Sequence, residues 1–170
     1  GVYTFTVQVC DNFDPPACAS QEVTITVVEG NLPPTLDPID DATIPELVAY
    51  SFTAAASNPD DPAQTLTFSL TGAPTGAAID PTTGVFTWTP SESQGPGTYP
   101  FTVKVCDDQQ PPLCDSQEIT LTVTEVNQTP VLTPIADATI AELVPYSFTA
   151  AATDPDLPAQ TLTFSLSGAP

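Results

Sequence analysis

The residues of this chain that could do chemistry are oxygen donors. It carries 21 Asp and Glu against one cationic residue, Lys104, and no His, for a formal charge of −20. Without His there is no Ser-His-Asp or Cys-His nucleophile and no imidazole metal ligand. With one Lys and no Arg there is no grip for phosphate. Nor is there a cationic footprint to meet a nucleic acid or an anionic membrane surface. What Asp, Asn and Glu in loops can do is surround a calcium ion with six to eight hard oxygens. A chain with one Lys has no internal way to neutralise such a cluster. The competing use of the same residues is structural, as turn formers and strand caps, above all in Asp-Pro pairs. A paired-carboxylate enzyme site has only adjacent candidates, Asp60/Asp61 and Asp107/Asp108, whose side chains point apart. No catalytic residue is expected, and the chain is not read as an enzyme.

The second reactive type is Cys, in two pairs of equal spacing, Cys10/Cys18 and Cys106/Cys114. That spacing is not a zinc signature, and no His completes one. Each pair flanks a Pro-Pro loop between two alternating runs. Cys106 shares the parity of Thr102 and Lys104, and Cys114 that of Glu118 and Thr120, so the two face each other across the base of one hairpin. The expectation is two local disulfides, each contributing roughly 2–3 kcal/mol by loop closure, in an oxidising, extracytoplasmic setting. Free buried thiols are the competing arrangement.

These residues are positioned by a repeat. Residues 1–74 match 97–170 at a constant offset of 96, with 51 identities in 74 positions. Thr, Val and 21 Pro, with few helix formers, read as all-β with proline-punctuated turns. Period-2 alternation marks strands around Tyr50–Ala54, Leu66–Leu70, Val85–Trp88, Tyr99–Val105 and Ile119–Val123, with shorter ones near Leu36–Ile39 and Ala77–Ile79. The fold expected is all-β, a string of tandem seven-stranded antiparallel β-sandwiches. Its core is expected to hold Tyr50, Phe52, Leu66, Phe68, Phe86, Trp88, Phe101 and Leu121.

Boundaries at Gly30-Asn31-Leu32-Pro33-Pro34 and its echo at 126–130 divide the chain into three. Residues 1–30 are the last part of one repeat, 31–126 a complete repeat, and 127–170 the first part of a third. Both ends then fall inside a repeat, as in a segment of a longer array. The alternative has end fragments of neighbouring molecules completing each other, without a counterpart of 75–96.

Ala78-Ile79-Asp80-Pro81-Thr82-Thr83-Gly84-Val85-Phe86-Thr87-Trp88-Thr89-Pro90 resembles a run typical of putative-Ig and dystroglycan-type cadherin-like repeats. Phe101-Thr102-Val103-Lys104-Val105-Cys106-Asp107 and Thr153-Asp154-Pro155-Asp156 resemble two more of that family's motifs. The resemblance covers 31–126 and both flanking parts, and it implies that the tandem seven-stranded antiparallel β-sandwiches are Ig/cadherin-like. It implies calcium held at the joints between repeats. Carried over by residue, it implies one group of ligands in Glu29, Asn31, Asn58, Asp60 and Asp107. A second group is Glu125, Asn127, Asp154 and Asp156, joined by Glu46, which reaches the following joint. The family's further acidic patch has no clear match, with only Ser91-Glu92 nearby. Asn127-Gln128-Thr129 is also an N-glycosylation sequon.

The function expected is a structural repeat of a long extracellular or cell-surface protein, an adhesin stalk or filament, with Ca2+ as cofactor. Its partners would be neighbouring repeats of the same chain and identical chains in a filament. No nucleic acid and no membrane within this segment are expected. The alternative is a carbohydrate-binding or accessory β-sandwich module of a secreted enzyme. That role needs exposed aromatics, and most here fall on inward parity.

Overall fold

The computed structural model describes residues 1–28 and 30–168. A hairpin comes first, β1 (Val2–Cys10) and β2 (Cys18–Thr26). After it come β3 (Thr35–Leu36), β4 (Ala42–Pro45), β5 (Tyr50–Thr53), β6 (Ala56–Ser57), β7 (Thr67–Thr71), β8 (Ala78–Ile79) and β9 (Val85–Trp88). A turn of 3-10 helix at Glu92–Gln94 leads into the long hairpin β10 (Gly97–Cys106) and β11 (Cys114–Thr124). Two short strands come last, β12 (Val131–Leu132) and β13 (Ala152–Thr153). Among the described residues no helix is long and apolar enough to cross a membrane.

Residues 33–124 make a two-layered β-sandwich. One sheet has the order β4-β11-β10-β7, and facing it are β5-β9-β8 and the pair β3-β6. Alternation builds the core. Phe101, Val103 and Val105 of β10 are buried, as are Ile119, Leu121 and Val123 of β11, while Thr and Lys104 between them are not. Phe86 lies 4.7 Å from Phe52, its partner in the same sheet, and across the layers 5.3 Å from Phe101, between ring centroids. Trp88 meets Tyr99 edge-on at 5.1 Å, and its indole N–H donates to Thr75 O at 3.2 Å. Of the expected core, Phe68, Phe86, Trp88, Phe101 and Leu121 are buried, and Tyr50, Phe52 and Leu66 pack partly buried against them.

The first expected strand differs. In place of one run near Leu36–Ile39 there are two short strands. β3 pairs with β6, and β4 pairs with β11 in parallel, an exception to the antiparallel pattern. Gln117 accounts for the break. Its side chain accepts from Ile39 N at 3.0 Å and donates to Ile39 O at 2.6 Å, satisfying the backbone where the chain changes sheets. Between β8 and β9, Asp80 Oδ1 accepts from Thr82 N and Thr83 N. Those bonds, Thr83 first, hold its carboxyl below the ordinary range. Gly84 closes that turn at φ +70, where a Cβ would also meet the carbonyl oxygen of Ala54.

The parts flanking the sandwich repeat its local geometry. Cys10 opposes Cys18 in the β1–β2 register as Cys106 opposes Cys114 in β10–β11. Both pairs are disulfides, with Cα–Cα distances of 4.0 and 4.1 Å. Leu132 opposes Ala152 as Leu36 opposes Ala56. In these flanks Tyr3, Phe5, Phe148 and Phe164 are exposed.

Candidate metal centre

The parallel pairing of β4 with β11 brings Glu46 beside Glu125. Glu46 N donates to Thr124 O at 3.0 Å, continuing the ladder one residue past β4. Its side chain is wholly buried. Oε1 accepts from Val126 N at 3.1 Å, and Oε2 has no hydrogen-bond partner. Both carboxylate oxygens of Glu125 are likewise buried without a partner. Glu92 arrives from the 3-10 turn, whose backbone is set by Gln94 reaching back to Ser91 N at 2.8 Å. One oxygen each from Glu46, Glu92 and Glu125 lie within 4.8 Å of one another. Burial pushes the Glu125 carboxyl above its ordinary range, and the charges of Glu46, Glu92 and Asp156 push the same way.

Residues beyond β11 close over this cluster. Asp156, almost wholly buried, accepts from Gln128 N on both oxygens, at 3.0 and 3.1 Å. Asp154 Oδ1 accepts from Asp156 N at 3.0 Å, a turn that Pro155 favours. Glu92 is tied across, accepting from Gln128 Nε2 at 2.6 Å and from Leu157 N at 2.8 Å. Asn127 is exposed at the rim, its Oδ1 accepting from Gln160 Nε2 at 3.1 Å.

The other group of expected ligands meets at the start of the sandwich, where the bonds of Asp156 and Asp154 recur 96 residues earlier. Asp60 accepts from Leu32 N on both oxygens at 3.2 Å, and Asn58 Oδ1 accepts from Asp60 N at 3.0 Å. Asn31 donates to Asp107 Oδ2 at 3.0 Å. Asp107 comes directly after the Cys106–Cys114 disulfide and is fixed by the loop it opens, its Oδ1 accepting from Leu113 N and Gln109 N. Partial burial works to raise the Asp107 carboxyl, but the bonds from Leu113, Asn31 and Gln109 together hold it below the ordinary Asp range. Glu29 lies outside the described residues. Cavities of about 300 and 360 Å³ open at the two places, lined respectively by Asn31, Asp60 and Gln64 and by Asn127, Asp154 and Gln160.

Of the ten expected ligands, nine are described. The structure links Asn31, Asn58, Asp60 and Asp107 by hydrogen bonds, directly or through Gln64; it places Glu46 and Glu125 together, and it links Asn127, Asp154 and Asp156 directly or through Gln160. Glu92 lies outside the expected set, yet its carboxylate is part of the cluster. The signal for it is Ser91 with Gln94 three residues on, a capping box that turns the chain straight after Pro90. Gln64, Gln128 and Gln160 are also absent from the expected set. The recurrence of Gln64 as Gln160 is visible in the repeat, but a neutral amide gives no reason to choose it.

Residues 33–124 match the family described as Putative Ig domain. The chain belongs to this putative Ig domain family. Solved structures add the likeness of fold. Mouse Cadherin-23 EC22-24 is 24% identical with a TM-score of 0.54, over 90% of this chain and 53% of that one. Human CDH23 EC21-23 is 22% identical with a TM-score of 0.52, over 91% and 58%. The chain therefore spans little more than half of either. No curated protein matches it. In this putative Ig sandwich, oxygen donors and three unpartnered, buried carboxylate oxygens fit a hard divalent cation.

Proposed function

We propose that this chain is a run of structural repeats from a long extracellular surface protein, an adhesin stalk or filament, whose joints are stiffened by calcium. Residues 31–126 form the complete repeat, between the end of one repeat (1–30) and the start of another (127–170). The observation that carries this reading is the cluster of Glu46, Glu92 and Glu125 at the exit of the sandwich, where Glu46 Oε2 and both Glu125 oxygens have no partner. Like charges buried together repel, and nothing cationic in the chain lies at hand to relieve them. A bound divalent cation would supply that positive charge.

The residues on either side of the cluster would then act as one unit. Glu46 and Glu92 belong to the sandwich, Glu125 to the linker, and Asp154 and Asp156 to the next repeat. Holding one ion would fix that repeat against the sandwich, and the same geometry repeated would make a rod. The Asn31, Asn58, Asp60 and Asp107 group would serve the preceding joint. Disulfides in both hairpins support a location outside the reducing cytoplasm. Neighbouring repeats, and identical chains in a filament, are the partners this implies. Equilibrium dialysis of the chelator-stripped chain against calcium tests the reading. Saturable uptake that Glu125→Gln reduces is expected, and absence of uptake overturns it.

A further inference from the structure

At both joints a primary amide bridges two oxygens that a cation would need. Gln64 Nε2 donates to Asn31 Oδ1 and to Asp60 Oδ2, each at 2.8 Å. Gln160 Nε2 donates to Asn127 Oδ1 at 3.1 Å and to Asp156 Oδ2 at 2.8 Å. The two glutamines are separated by the repeat length, so the arrangement belongs to the repeat itself. An amide NH2 has two protons and no lone pair to offer, and here each proton points at an acceptor. Calcium held by the same oxygens would sit about 2.3–2.6 Å from each. The amide nitrogen cannot share that space, and its positive dipole end would face the ion.

We propose that Gln64 and Gln160 are latches of the metal-free joint, which hold the ligand oxygens together and must swing away when a cation binds. This rests on the calcium reading above. The latch neutralises part of the repulsion between oxygens, so it supports the joint without metal and competes with the metal for it. Asp156 is buried but Gln160 is exposed, so the amide can leave into water without opening a cavity. The two latches differ in strength. Gln64 Oε1 also accepts from Asn58 Nδ2 at 3.2 Å. At the second joint the counterpart of Asn58 is Asp154, whose carboxylate has no proton to give. The first joint is therefore latched more firmly, and it has the neutral Asn58 where the second has the Asp154 carboxylate.

The test is Gln160→Ala and Gln64→Ala in the full chain, stripped with chelator and titrated with calcium by calorimetry, with melting followed in chelator. Each substitution should raise calcium affinity at its own joint by about three- to tenfold, the fold-change of one ordinary hydrogen bond. Each should also lower the metal-free melting temperature. Gln160→Glu, which cannot donate and faces Asp156, should lower metal-free melting further and raise affinity more. Weaker calcium binding in the Ala variants would make the glutamines ligands and overturn the proposal. Unchanged binding would make them bystanders and overturn it too. A wild-type chain that takes up no calcium would overturn the calcium reading, and this inference with it.

Discussion

A β-carbon added at Gly95 would fall on the buried carboxylate of Glu46, overlapping Oε2 and lying 2.8 Å from Cδ. Gly95 has ordinary extended dihedrals, φ −110 and ψ 147, so its backbone does not require glycine. The missing side chain makes room for the carboxylate. Gly95→Ala should cost about 1–3 kcal/mol in the metal-stripped chain, as overpacking does. It should also cut the stabilisation gained from calcium, because Glu46 is pushed from its place beside Glu125. Melting with and without calcium checks both. An unchanged calcium increment would mean that Glu46 is not held by this contact.

Two carboxylates should give the metal-stripped chain pH dependences of opposite sign. Glu125 sits above its ordinary value of 4.5 in the fold, so its contribution is present at lower pH and is lost as pH rises through the folded value. Glu125→Gln should raise the melting temperature at pH 7 and flatten that decline. Asp107 sits below its ordinary value of 3.8, so its contribution is present above that value and is lost as pH falls through the folded one. Asp107→Asn should weaken the acid limb alone. Melting temperature against pH for the two variants separates them.

Much of the fold is legible in the sequence because alternation is a local signal. Phe101, Val103 and Val105 against Thr102 and Lys104 leave little choice of face, and the Cys pairs obey the same parity. β4 is not legible. Among Ala42, Thr43, Ile44 and Pro45 only Ile44 is a large apolar residue, and the strand exists by pairing with β11 some 80 residues on. The metal centre is legible as residue types in loops but not as a constellation. Glu92 depends on a 3-10 turn, and Gly95 acts by absence, which no pattern of side chains reports.

The core should respond in proportion to burial. Phe86 is wholly buried between Phe52 and Phe101, and Phe86→Ala should cost about 3–5 kcal/mol. Phe5 is 46% exposed in the β1–β2 hairpin, and Phe5→Ala should stay within about 0.5 kcal/mol. Urea unfolding of the two variants gives the comparison.

The Cys106–Cys114 disulfide closes a short loop, and Cys106→Ser with Cys114→Ser should cost about 2–3 kcal/mol. Because Asp107 is anchored by Leu113 and Gln109 within that loop, the double variant should also loosen its contact with Asn31. Amide exchange at Leu113 reads this directly, and unchanged protection there would contradict it.

The central claim is that the buried carboxylates at the exit of the sandwich are completed by a divalent cation. Scanning calorimetry of the metal-stripped chain, with calcium and then with excess chelator, tests it most directly. A native-state ligand at a hundred times its dissociation constant adds about 2.7 kcal/mol. The account predicts a melting temperature several degrees higher in calcium, with the gain reduced in Glu46→Gln. Identical melting curves with calcium and with chelator would contradict it.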